Sequence, residues 1–226
     1  MTDSPGSRHD RWMAGSTGDI APAWGEEPDG DGRSLAGDLL VAAPALVDPN
    51  FDRTVLLVLD HGPEGALGVI LNRPTEVEVA EIIGSWASEA RRTPPALVFS
   101  GGPVAPNAMI GIGRLAAGPA RGAARGGEGP AAGGWRAALG ADTVDLSLPP
   151  GSQDVAIDGA RLFAGYAGWG PGQLEGELEA GGWIVLGAIP ADIFCDDPGS
   201  LWSDVLRRQG GELSMLANYP PDPTLN

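Results

Sequence analysis

Eight side chains in this sequence have the types and positions to act together on a ligand. Asp60-His61 and Asn72-Arg73 each stand where an apolar run ends, and Arg53 precedes the run that Asp60-His61 ends. Tyr166, Trp169 and Gln173 lie in a glycine-rich stretch, residues 163–177, that leads from an apolar run into a helix start at Pro171. Strand ends and glycine-rich turns are the places where folds present functional groups. His61 and Asn72 offer hydrogen bonds, Arg53 or Arg73 a charge, and Tyr166 and Trp169 a stacking wall. If these ends converge on one cleft, a small ligand or a protein partner would bind there without catalysis. In the competing reading His61 is the general base of a hydrolase. That role requires Ser100, Cys195 or a carboxylate within about 3.2 Å of its ring, or one water away.

Other patterns fail on their own chemistry. The turn Gly168-Trp-Gly-Pro-Gly172 has the look of an anion cradle at a helix N-terminus. It lacks the Lys of a phosphate loop, and Glu175 and Glu177 would repel phosphate. Gly111-Ile-Gly113-Arg-Leu-Ala116 matches a dinucleotide fingerprint, but no helix can follow in Ala-Gly-Pro-Ala-Arg-Gly. Asp48-x-Asn50-x-Asp52 opens like a calcium loop, yet Arg53 and Leu59 stand where Gly and Glu belong. It reads better as a turn in which Asp48 and Asn50 bond nearby amides and Arg53 pairs with a carboxylate. Ser100 lacks the glycine of a nucleophile elbow, since Val98 occupies that position.

Composition narrows the classes further. The lone Cys195 excludes an internal disulfide and a Cys-built zinc site, and two histidines argue against a His-rich metal centre. No cofactor and no metal are implied. The formal charge is −16, from 30 acidic residues against 14 arginines. Such a surface argues against direct nucleic-acid binding, which rests on cationic neutralisation of phosphates. No apolar run approaches the ~20 residues of a membrane span, and the polar N-terminus has no signal-peptide pattern. A cytoplasmic location is therefore expected.

The elements that must position these residues alternate irregularly. Apolar runs at 39–43, 54–60, 66–71, 96–99, 108–112, 143–148, 162–166 and 183–186 read as strands. Helical spacing marks 77–90 and 201–208, with a short helix through 216, and Pro171 opens a helix over 171–180 stopped by Gly181-Gly182. Strict βαβ alternation is missing, which favours α+β. Residues 1–36 are rich in Gly, Pro, Asp and Ser and are expected to be a disordered tail. The domain then spans 37–226, with a flexible Gly/Ala/Arg-rich loop at about 116–134.

Taken in order, several segments resemble the bacterial YqgE/AlgH family. They are Leu39-Leu-Val-Ala-Ala-Pro44, Asp48-Pro-Asn-Phe51 with Arg53-Thr54, Asp60-His61, Gly65-Ala-Leu-Gly-Val-Ile-Leu-Asn-Arg-Pro74 and Gly101-Gly-Pro103. Gly165-Tyr-Ala-Gly-Trp169, Gly172-Gln-Leu-Glu175, Trp183 and Leu201-Trp202 follow. The resemblance implies a single α+β domain with a mixed, bifurcated sheet folded into a pseudo-barrel with flanking helices. It implies no agreed catalytic activity. Some members carry the label of transcriptional regulator, although the family has no recognised DNA-binding motif.

Overall fold

Residues 39–42 and 55–59 are apolar at every position, so strands built from them must be covered on both faces. The computed structural model describes residues 33–46, 48–116 and 134–219, and it covers them in that way. Strand β1 (Asp38–Ala42) pairs antiparallel with β2 (Val55–Gly62). On these strands Leu39, Val41, Val55 and Leu57 enter one core cluster. Leu40, Ala42, Leu56 and Val58 enter a second.

The remaining strands are β3 (Gly65–Ile70), β4 (Pro74–Glu78), β5 (Leu97–Ser100), β6 (Val104–Leu115), β7 (Ala141–Val144), β8 (Ile157–Trp169) and β9 (Trp183–Gly187). All nine join one sheet along the path β4-β5-β8-β3-β2-β1-β9, with β6 branching from β8 and carrying β7. Only β5 and β8 run parallel; the other pairs are antiparallel. The path does not close on itself, so the protein is an α+β domain with a mixed, forked and open sheet. The fork is β8, where Leu162, Phe163 and Ala164 pair with β5 on one edge and with β6 on the other. Its last residues, Ala167, Gly168 and Trp169, pair with β3.

Helices are short: α1 (Val79–Ile82), α2 (Ala87–Ala90), α3 (Gly134–Leu139), α4 (Gln173–Glu179), α5 (Pro190–Ile193), α6 (Leu201–Gln209) and α7 (Gly211–Leu216). None among the described residues is long and apolar enough to cross a membrane. The helix expected over 77–90 is broken into β4, α1, a 3-10 turn at Gly84–Trp86 and α2. Gly84 interrupts it, and Thr75 prefers a ladder position, its Oγ1 donating to the Val98 carbonyl at 2.7 Å. The strand expected over 108–112 extends to twelve residues, and the one expected over 143–148 begins earlier and ends at Val144.

A larger correction concerns the glycine-rich stretch. Strand β8, expected to end at Tyr166, continues through Ala167 and Gly168 to Trp169, so Gly168 lies inside a strand and not in a turn. Gly165 adopts φ +72, and a Cβ there would sit 2.6 Å from the Gly102 carbonyl oxygen and 2.9 Å from that of Val104. Glycine is required because another backbone crosses at that point. The expected tail, 1–36, lies outside the described residues up to 32. Its last four residues, 33–36, are described, and Leu35 packs on the second core cluster. Within the expected flexible loop, 117–133 also lies outside the described residues.

One strand residue is polar where its neighbours are apolar. Arg161, on β8, is 1% exposed. Its Nη1 donates to the Ile193 carbonyl and its Nη2 to those of Pro94 and Cys195, all at 2.8 Å. The guanidinium lies 4.5 Å from the Phe99 ring centroid. Arg161 thereby ties β8 to the 91–96 loop and to α5. Replacing it by Met should leave three carbonyls without donors, each worth about 1–3 kcal/mol when buried. A urea unfolding series is expected to show a loss of about 3 kcal/mol or more; an unchanged midpoint would contradict the tie.

Candidate functional site

The hairpin β2–β3 separates the candidate residues into two groups. Gly62 faces Gly65 and His61 faces Ala66 at its turn, while Leu71 N–H donates to the Val55 carbonyl at its far end. Arg53, Asn72 and Arg73 belong to the far end; Asp60 and His61 belong to the turn. The strand from Val55 to His61 spans roughly 20 Å, and Arg53 lies beyond its start. One small cleft does not hold both groups.

At the turn end a β-bulge at Leu59 shifts the register between Val58 and Asp60. Bulges re-aim the side chains that follow them. The His61 ring is held on both sides. Its Nδ1 accepts from Leu35 N–H at 3.0 Å, and its Nε2 lies 2.8 Å from Glu175 Oε1. An accepting Nδ1 carries no proton, so the network assigns the proton to Nε2, which donates to Glu175. Neither nitrogen has a free lone pair for a substrate, and neither meets Ser100 or Cys195. Burial pushes the Glu175 carboxyl up, but its own backbone N–H and the His61 ring outweigh that and hold it below the ordinary glutamate range. Asp60 moves the other way. Burial raises it, although the His61 backbone N–H and the charges of Arg136 and His61 oppose the rise.

Helix α4 follows β8 after Gly172, whose φ of +71 only glycine adopts easily. Its Glu177 gathers three donors. Oε2 accepts from Trp169 Nε1 at 2.9 Å and from Trp183 Nε1 at 2.8 Å, and Oε1 accepts from Gln173 Nε2 at 3.0 Å. Gln173 Oε1 in turn accepts from Gly170 N–H. Trp169 and Trp183 meet edge to face at 6.1 Å, and Phe51 meets Trp183 at 5.4 Å. Trp169 and Tyr166 are 3% and 7% exposed, so both belong to the core and offer little stacking wall to a ligand.

At the far end Asn72 spends its amide on the backbone. Nδ2 donates to the Arg53 carbonyl and Oδ1 accepts from Val55 N–H. The 48–52 turn forms as expected, with Asn50 N–H donating to Asp48 Oδ1. Arg53, however, pairs with no carboxylate among the described residues. Its guanidinium stacks 4.1 Å from the Trp202 ring centroid, and its Nη1 donates to the Tyr219 carbonyl at 2.7 Å. Arg73 Nη2 donates to the Asp52 carbonyl at 2.6 Å.

Elsewhere, burial pushes the Cys195 thiol up, against the opposing charge of Arg161. A cavity of about 360 Å³ beside it is lined by Phe194, Asp196, Asp197, Ser200 and Leu201 among others, and by none of the eight candidates. Several structurally decisive residues escaped the sequence reading as site members: Glu175, Glu177, Trp183 and Trp202. The spacing of Gln173 and Glu177 puts them on one helix face and was the available signal.

Comparison with known proteins gives consistent relatives. A family model described as AlgH-like matches residues 39–214. A UPF0301 protein of Streptomyces coelicolor is 50% identical over 194 residues, covering 85% of this chain and 96% of its own length. One from Mycobacterium tuberculosis is 40% identical over 195 residues, covering 86% and 92%. Among solved structures, a Corynebacterium diphtheriae protein superposes with a TM-score of 0.68 at 29% identity, covering 86% of this chain and 95% of that one. The AlgH protein of Pseudomonas aeruginosa gives 0.56 at 25%, covering 86% and 98%.

Two expected outcomes follow from this geometry. Glu177→Ala removes the acceptor of two buried indole N–H groups, so urea unfolding should show a loss of about 2–4 kcal/mol, with Glu177→Gln losing less. The second concerns pH. A depressed Glu175 stabilises the fold above its unfolded pKa and loses that contribution as pH falls through its folded pKa. A raised Asp60 does the opposite, favouring the fold in acid and costing stability once ionised. Glu175→Gln should therefore destabilise near neutral pH and have little effect at about pH 3, while Asp60→Asn should gain stability toward neutrality. Unfolding midpoints at the two pH values check both signs.

Proposed function

The chain belongs to the AlgH-like family, and we propose that it is a non-catalytic cytoplasmic regulatory or binding protein, acting through a protein partner or a small ligand. One observation carries this reading. His61, the best-placed general base, has Nδ1 committed to Leu35 N–H and Nε2 to Glu175. A base needs a lone pair within reach of the proton it removes. The formal charge of −16 supports a partner other than nucleic acid. Of the candidate surface, His61, Trp169 and Gln173 bond within the architecture around α4, with Tyr166 in the core. Arg53, held by the Trp202 ring and the Tyr219 carbonyl, and Arg73, held by the Asp52 carbonyl, serve the binding partner.

The hydrolase alternative draws on the same contact, because a carboxylate behind an imidazole is half of a catalytic triad. It would need residues 33–36 to leave and free Nδ1. The protein should show no turnover of an activated ester such as p-nitrophenyl acetate above that of His61→Ala. Turnover that His61→Ala abolishes, with the melting temperature held, would establish the hydrolase in its place.

A further inference from the structure

We propose that His61 is a proton-sensitive latch: when its ring is neutral it seats residues 33–36 beside the β2–β3 turn, and protonation releases them. This goes beyond the binding reading and does not rest on it. Two hydrogen bonds seat the segment, and His61 receives both. Leu35 N–H donates to His61 Nδ1 and Ser34 Oγ donates to the His61 carbonyl, each at 3.0 Å. The Leu35 side chain packs on the second core cluster. The other contacts lie within the segment or at its junction with β1. Arg33 bonds Asp38, Asp38 N–H donates to the Leu35 carbonyl, and Gly37 N–H donates to the Val58 carbonyl.

The ring makes this seat sensitive to acid. An imidazole nitrogen that accepts a hydrogen bond becomes a donor once the ring is protonated. Nδ1–H would then face Leu35 N–H across 3.0 Å, two donors with no acceptor between them. On the other side the same proton strengthens an existing contact. The bond from Nε2–H to Glu175 Oε1, 2.8 Å long, becomes one between opposite charges. Helix α4 therefore keeps the cation while Leu35 loses its acceptor. Only the seated form excludes a proton from Nδ1, so falling pH draws the equilibrium toward release.

The surroundings suit an imidazolium. Glu175 faces the ring from α4, Asp60 adjoins it on β2, and Glu64 lies in the hairpin turn. The cations on neighbouring elements, Arg136 on α3 and Arg33 in the segment itself, are engaged with Asp142 and Asp38. Strand β3 places Ala66 opposite His61, and β8 brings Trp169 to Ala66, neither of them charged. Release lifts Leu35 from the second core cluster and opens its apolar seat. It does not create a base, because the released imidazolium has two N–H donors and no lone pair.

The test is amide hydrogen exchange of the full chain, followed by NMR from about pH 8 to about pH 5, the span over which histidine changes charge. Each rate is taken relative to an unstructured amide at the same pH. Protection of Leu35 should fall about tenfold or more relative to that of Leu57 in β2, since each pH unit below the released ring's pKa shifts the latch about tenfold. His61→Asn offers an acceptor near the position of Nδ1 that does not titrate, and Leu35 protection should then be independent of pH. Glu175→Gln removes the counter-charge that keeps the cation and should move release to lower pH. Equal relative protection of Leu35 across the range, the same fall in His61→Asn, or an unmoved release in Glu175→Gln overturns the latch. None of these results bears on ester turnover, which tests the non-catalytic reading separately.

Discussion

Strand β8 carries the constraint on which the rest of the fold depends. A buried strand must find partners for its backbone N–H and C=O groups. Over thirteen residues β8 finds them on three different strands, β5, β6 and β3. Its side chains contribute to every core cluster: Phe163 to the first, Ala167 and Trp169 to the second, Leu162 to the third. The buried Arg161 adds a polar tie from the same strand to α5. A sheet forked in this way cannot lie flat or close, because one strand must leave one neighbour for another. Gly165, with its left-handed φ, sits at that departure.

The fork also decides what surrounds the histidine. By pairing Trp169 with Ala66, β8 delivers its end beside the hairpin turn, where Ala66 faces His61. Helix α4 starts four residues later and brings Glu175 to the ring and Glu177 to two indoles. The acidic residues at this helix start serve the neighbouring side chains as well as the helix dipole. Both ring nitrogens of His61 thus have hydrogen-bond partners within the fold.

The opposite end of the hairpin behaves differently. There Asn72 orders a loop without covering it, and the arginines bond carbonyls in place of carboxylates. The hairpin therefore has one end where His61 and Glu175 bond each other and another where the arginines bond backbone carbonyls.

The sequence by itself determined the two-sided burial of β1 and β2, the turn at Asp48–Asn50, the family resemblance and the mixed α+β character. These depend on local alternation, turn chemistry and ordered motifs, all of which are properties of neighbouring residues. It did not determine that 77–90 would break or that the glycine-rich stretch would continue as strand. Gly168 carries turn propensity, and only its pairing with Leu67 of β3 makes it a strand residue. Of the candidate site, residue types were legible but their grouping was not. Arg53 and His61 flank opposite ends of β2, whereas Arg53 and Tyr219, or His61 and Glu175, meet across long sequence separations. Such pairings are set by strand register and by the fork in β8, and these exist only once the chain is folded.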